Sequence, residues 1–133
     1  MAVTTTAYLD VTQLIASMLK DVEGMRTHWY VADITRPPAC VIGQPEIDYA
    51  DPEASFCNAT YTVPLTIVVA RSNDRDAQST MSRLLADIAT TLNRTPPDGV
   101  FAVEPQYARP LEGGVLVAGQ ELPGYSLTVR VRA

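Results

Sequence analysis

The chain is poor in the side chains on which catalysis and metal binding most often depend. Its 133 residues include two cysteines, Cys40 and Cys57, and one histidine, His28. A structural zinc site takes four Cys or His ligands, more than these provide. A disulfide framework in a small secreted domain takes more cysteines still. Cys40 and Cys57 are therefore expected to be small hydrophobic residues on or near strands. Long apolar runs are also missing, and none approaches the roughly 20 residues that span a bilayer. The opening MAVTTTAYLD has no basic segment and no long apolar core, so no signal peptide is expected and a reducing cytoplasm is the expected setting. In that setting the Asn58-Ala59-Thr60 sequon reads as chance.

Clustered positive charge is scarce as well. The net charge is −5, and the excess sits in the first half. Up to Thr60 three basic residues (Lys20, Arg26 and Arg36) face eight acidic ones, whereas beyond it seven arginines balance seven acids. No Lys or Arg lies between Arg36 and Arg71, while Glu46, Asp48, Asp51 and Glu53 lie close together. A sequence-independent grip on nucleic acid needs a basic patch, and none is visible.

What is present is a globular composition. The chain is 47% hydrophobic with mixed charge, and its length suits one domain over 1–133 that buries about two-thirds of its unfolded surface. The best-organised stretch runs from Tyr61 to Leu92. Tyr61, Val63, Leu65, Ile67 and Val69 alternate with Thr62, Pro64, Thr66, Val68 and Ala70, the period of a strand with one buried face. Pro64 lacks an N–H, which suits an edge strand or a bulge and offers an edge near a subunit boundary. A polar loop follows. Ala77, Met81, Leu84, Leu85, Ile88 and Leu92 then mark one stripe of a helix, with Asn73 or Asp74 placed to cap it.

An earlier helix is expected over Val11 to Glu23. Asp10 is placed as its N-cap, Gln13 completes a capping box, and Gly24 supplies a left-handed stop. His28 to Ile34 reads as a strand and Ala39 to Gly43 as a second. Residues 1–8 read as a flexible arm, and residues 44–57 as a long acidic loop carrying Glu46, Asp48, Tyr49, Asp51 and Glu53. Loops of that length inside a compact domain are usually functional. Strands are expected over Val100 to Tyr107 and Gly113 to Gly119. The chain then closes with Tyr125, Leu127, Val129 and Val131 alternating with Ser126, Thr128, Arg130 and Arg132, a half-exposed strand. The expected class is α+β: a mainly antiparallel sheet with two amphipathic helices packed on one face.

No constellation for chemistry emerges. His28 has no nucleophile or orienting acid beside it in sequence and reads as a structural or interface residue. The acids of 46–53 lack the spacing and turn glycine of a calcium loop. Arg71 to Asp76 is simplest as a helix-capping loop. Gly113-Gly114 is not followed by the Lys-Ser/Thr helix start of a phosphate loop. Catalytic, metal and cofactor sites are therefore not expected.

The succession PPACVIGQPEIDYADPEASF, YTVPLTIVVARSNDRDAQSTMSRLLA and GYSLTVRVRA resembles the tail terminator (tail completion) proteins of long-tailed bacteriophages, particularly those of actinobacteria. The resemblance runs from Leu9 to Val131 and rests on structural motifs. It implies a structural virion subunit, assembled in the host bacterial cytoplasm, that closes into a ring, usually a hexamer. Such a ring caps the head-proximal end of the tail tube, stops its polymerisation and docks the head–tail connector. The implied partners are further copies of the chain, the major tail tube protein and the connector, with genome DNA passing through the ring and no sequence-specific nucleic acid binding. The family brings no catalytic residues.

A ring needs an interface with two unlike halves. Arg130 and Arg132, exposed on the last strand, and the acidic loop are complementary candidates for it. Arg71, Asp74 and Arg75 are further candidate contact residues. The same acidic loop equally suits the lumen, where like charge lets DNA slide past, or a solvated surface without a partner. Two rivals remain: a head-closure or head–tail joining protein, and a cytoplasmic ligand-binding domain with a site near Arg71 to Arg75 and Tyr107 to Arg109. A deep polar pocket favours the latter, and a flat, sticky edge favours assembly.

Overall fold

The structure is a computed structural model. It describes residues 8–30, 34, 36–49, 59–71, 74–94 and 102–132, the side chains of Tyr8, Leu9 and Asp74 excepted. The first helix, α1, spans Tyr8–Leu19. Val11, Ile15 and Leu19 recur every fourth residue and are buried, the stripe that holds a helix on a sheet. The helix begins earlier than Asp10, which lies in its first turn. Asp10 is therefore no cap, but its carboxylate still favours the positive helix end. The helix also ends before Glu23. Beyond Leu19 the backbone tightens to three-residue bonds, Asp21 N–H to Met18 C=O at 3.4 Å and Val22 N–H to Leu19 C=O at 3.1 Å. This turn keeps Val22 buried. Gly24, at φ +77°, supplies the left-handed exit.

Among the described residues eight strands and a second helix follow. They are β1 (Arg26–His28), β2 (Ala39–Ile42), β3 (Glu46–Asp48), β4 (Thr60–Val68), α2 (Asp74–Leu92), β5 (Ala102–Pro110), β6 (Val115–Val117), β7 (Gln120–Leu122) and β8 (Gly124–Arg132). The main sheet runs β1-β2-β4-β8-β5, and β3 joins β4 beyond the end of β2. All its pairs are antiparallel except β1 with β2. Three sequence expectations change. Of the strand expected over His28 to Ile34, residues 31–33 lie outside the described residues; the strand seen is β1, and Trp29 and Tyr30 beyond it are exposed. Part of the expected acidic loop is strand β3, because Ile47 between Glu46 and Asp48 pairs with Tyr61 and packs against the core. The glycine-rich segment after β5 is a hairpin of two strands, β6 and β7.

Both helices pack on the sheet face that carries Tyr61, Val63, Leu65 and Ile67 of β4 with Leu127, Val129 and Val131 of β8. Arg94 Nη1 reaches Asp21 Oδ2 at 3.0 Å, and Arg83 donates to Glu23 C=O at 3.4 Å. These bonds tie α2 to the turn after α1. The opposite face carries neither helix and is open in that sense, although Thr62, Thr66, Ser126, Thr128, Arg130 and Arg132 on it are half-buried. At one end the β6–β7 hairpin lays Val117 and Leu122 over Ala39, Val41 and Val68, a second and smaller apolar cluster.

Pro64 sits in an interior strand, not at an edge. In an antiparallel sheet successive residues turn their backbone groups to alternate neighbours. Val69 N–H donates to Pro123 C=O at 3.1 Å, and Gly43 N–H donates to Pro64 C=O at 2.8 Å. Odd-numbered β4 residues therefore bond to β8, and even-numbered ones to β2 and β3. The absent N–H of Pro64 points to the junction of those two short strands. There Ile42 pairs with Leu65 and Glu46 with Thr62, so Gly43, Gln44 and Pro45 stand opposite only Val63 and Pro64. The expected bulge is present on the facing strand, at the stretch of β4 that neither β2 nor β3 pairs in register.

Candidate functional site

The open face carries four of the charged candidates, Glu46, Asp48, Arg130 and Arg132. Glu46, Thr62, Arg130 and Glu104 form one row across β3, β4, β8 and β5, and Asp48, Thr60, Arg132 and Ala102 form the next. Arg130 Nη2 lies 3.1 Å from Glu104 Oε2, and Arg132 Nη2 lies 4.0 Å from the same oxygen. The side chains of Arg130 and Arg132 are 30% and 18% exposed and that of Glu104 is 37% exposed. The arginines are thus not the exposed pair expected from sequence, because neighbouring strands flank them and a carboxylate on β5 engages them. Asp48, Arg130 and Arg132 all have interaction partners. Charges expected to meet across a subunit boundary lie together on one face of one chain.

The remaining candidates are scattered. Tyr49 is exposed just past β3, while Asp51 and Glu53 lie outside the described residues. Arg71 is exposed after β4, Asp74 opens α2, and Arg75 is exposed in its first turn. Sequence reasoning missed Glu104 as a partner of the arginines. The alternation of Val103 inward and Glu104 outward was visible, but its register against β8 was not.

Further along the open face, Arg109 places its guanidinium carbon 5.0 Å from the centroid of the Tyr107 ring. A hydrogen bond with Thr128 and the nearby Arg109 charge hold the Tyr107 phenol below its ordinary range. Tyr61 behaves oppositely: its burial in the core raises the phenol pKa, and Tyr49 and Asp10 add in the same direction.

A cleft of about 790 Å³ opens between the first half of α2 and the base of the hairpin, lined by Ala77, Met81, Leu85, Gly114 and Leu122 with Arg71 also on its wall. Tyr107 and Arg109 are not among its lining residues, so the two halves of the expected ligand site do not converge there. A smaller notch of about 490 Å³ lies beside Trp29, Tyr30 and Gly43.

The thiol and imidazole groups lie apart among the described residues. Cys40 is fully buried and burial pushes its thiol up to about 12, so it supplies almost no thiolate at neutral pH. Cys57 lies outside the described residues. His28 is half-buried on β1, and its Nε2 is buried without a hydrogen-bond partner. Among the described residues no cluster of three or more His, Cys, Asp or Glu side chains could hold a metal ion. No described helix is long and apolar enough to cross a membrane.

No known family's sequence profile matches the chain, and no curated protein matches it in sequence. The fold itself is shared. A chain in the virion of a native gene transfer agent (GTA) particle superposes with a TM-score of 0.65 at 10% identity, covering 96% of this chain and 98% of that one. At that identity the likeness is one of fold, and it extends over nearly the whole of both chains.

Proposed function

We propose that the chain is a structural virion protein: a subunit that closes into a ring, caps the head-proximal end of a phage tail tube, ends its polymerisation and presents a docking face to the head–tail connector. The observation that carries this reading is the end-to-end fold likeness to a chain from the gene transfer agent virion. The sequence resemblance to tail terminators narrows virion protein to terminator. The scattered exposed surfaces fit a subunit that meets several neighbours better than a single site does. Exposed Trp29 and Tyr30 lie at one sheet edge, Tyr49 lies beyond β3, and Leu116 lies on the hairpin. The partners are further copies of the chain, probed first as a hexamer, the major tail tube protein and the connector, with genome DNA passing through.

The test is the solution mass of the purified protein, alone and with tail tube protein, together with electron microscopy of the same samples. Closed rings, or tubes capped at a fixed length, support the terminator. A ring that ignores the tube and binds the connector moves the protein to head closure. The ligand-binding alternative rests on the cleft beside Arg71. It requires a small molecule that saturates this cleft and raises the unfolding temperature of a chain that does not assemble.

A further inference from the structure

Among the described residues the main sheet has one long free edge, the outer side of β5. Among the described residues β5 pairs with β8 alone. Which backbone groups β5 turns outward follows from two hydrogen bonds at the foot of the sheet. Leu111 N–H donates to Gly124 C=O at 3.0 Å, and Val69 N–H donates to Pro123 C=O at 3.1 Å. Even-numbered β8 residues therefore face β5, and odd-numbered ones face β4. Carried through the register, Ala102, Glu104, Tyr107 and Arg109, opposite Arg132, Arg130, Thr128 and Ser126, bond inward. Val103, Pro105, Ala108 and Pro110, opposite Val131, Val129, Leu127 and Tyr125, turn their backbone groups outward.

Two of these four outward positions are proline. A strand adding to this edge needs a donor at each outward residue, and Pro105 and Pro110 have none to give. Between them the ladder is broken again, because the register shifts from Pro105 to Tyr107 and leaves Gln106 as an extra residue. The bulge separates the outward donors of Val103 and Ala108, so no two successive outward sites are competent. Proline on the solvent side, a bulge and short strands are the usual obstacles to edge-to-edge pairing. The strands at the other edges among the described residues, β1 and β3, are three residues long each.

We propose that the outer edge of β5 is built to refuse a strand from a second copy or any other chain, so that neighbours meeting this edge do so through side chains and not by extending the sheet there. The proposal stands whether or not the ring reading holds. It predicts that strand pairing at this edge is limited by the two prolines.

Amide hydrogen exchange on the wild-type protein tests it first, at low concentration and in its most assembled form. The expected result is that the Ala108 amide exchanges at an unchanged rate in both. Slowing by about tenfold or more on assembly would place a strand on that edge and overturn the proposal. The complementary test is the double variant Pro105→Thr, Pro110→Thr, compared with the wild type by sedimentation over a range of concentrations. The variant is expected to form larger species in which Ala108 becomes protected, and adding Ala108→Pro should restore the wild-type distribution. A folded double variant, shown so by circular dichroism, with wild-type masses and a freely exchanging Ala108 would also overturn it. Mass and micrographs of the wild type with and without tail tube protein decide the ring reading and exchange at Ala108 decides this one, so either can fail separately.

Discussion

Glu104 on β5 faces Arg130 on β8 in direct register, Oε2 to Nη2 at 3.1 Å, and the same oxygen lies 4.0 Å from Arg132. One carboxylate therefore lies within reach of two guanidinium groups on a half-covered face. Glu104→Gln keeps the shape and removes the charge. It should lower stability by about 1 kcal/mol, the scale of a partly exposed charge-assisted bond. Urea unfolding at low and high salt checks this, and the loss should shrink as salt rises. Arg130→Glu would set two carboxylates opposite each other, so any loss of assembly in that variant must be read against its unfolding midpoint.

The β2–β3 junction makes a sharper prediction. A Cβ at Gly43 would stand 2.8 Å from Pro64 Cγ and 3.2 Å from Pro64 C=O oxygen. Gly43→Ala should cost about 1–3 kcal/mol through forced displacement of one strand. Pro64→Ala removes the ring that causes the nearer clash. In the double variant the two effects should therefore sum to less than their separate costs, and a double-mutant cycle in urea measures the coupling. Strict additivity would mean that the close approach is not what limits residue 43.

Cys40 gives a pH dependence with a definite sign. Its thiol is raised from 9.0 to about 12 by burial, so the folded state keeps the proton longer than the unfolded state. The contribution is fully present below about pH 9 and is lost as pH rises toward 12. In a Cys57→Ser background, stability should fall with a slope approaching about 1.4 kcal/mol per pH unit in excess of that in the matching Cys40→Ala protein. In the same background native Cys40 should resist alkylation at pH 8 and react on unfolding. Rapid labelling of the folded protein would contradict the burial.

Tyr107 tests the open face. Thr128→Val removes the hydrogen bond that most lowers its phenol, and Arg109→Ala removes the nearby charge. Each should return the titration toward the ordinary tyrosine value, Thr128→Val by more. Carbon-detected NMR of tyrosine-labelled protein reads this directly. Equal titration in all three proteins would show that the phenol is free in solution.

The long elements were legible because their periods are unambiguous. Five alternating residues from Tyr61 to Val69 mark β4, and the stripe from Ala77 to Leu92 marks α2. The closing alternation marks β8. Segments of three residues carry no period, which is why β3 was taken for loop and β1 was placed two residues late. A proline and two acids around Ile47 spoke for a turn, and only pairing with Tyr61 turned them into strand. Interface residues suffered from a different gap. Arg130 and Arg132 alternate with buried residues and so looked exposed, but what stood beside them depended on the register of β5. That register passes through a bulge at Gln106 which nothing local announces. The prolines show both sides. Pro64 declared a break in a ladder correctly, but not that the break lay inside the sheet.

The strand order also bears on how the chain acquires its shape. β8, the last strand in sequence, lies between β4 and β5, and β5 has no other partner in the main sheet among the described residues. Thr60 and Ala102 both wait for Arg132. Closing such distant pairs is entropically costly and slow compared with forming local turns. Until residues 124–132 insert, β4 exposes an apolar flank and β5 has no ladder at all. The β8–β5 side of the sheet therefore cannot pair before those residues arrive, and a chain shortened before β8 is expected to populate a sticky, incomplete sheet instead of a smaller domain.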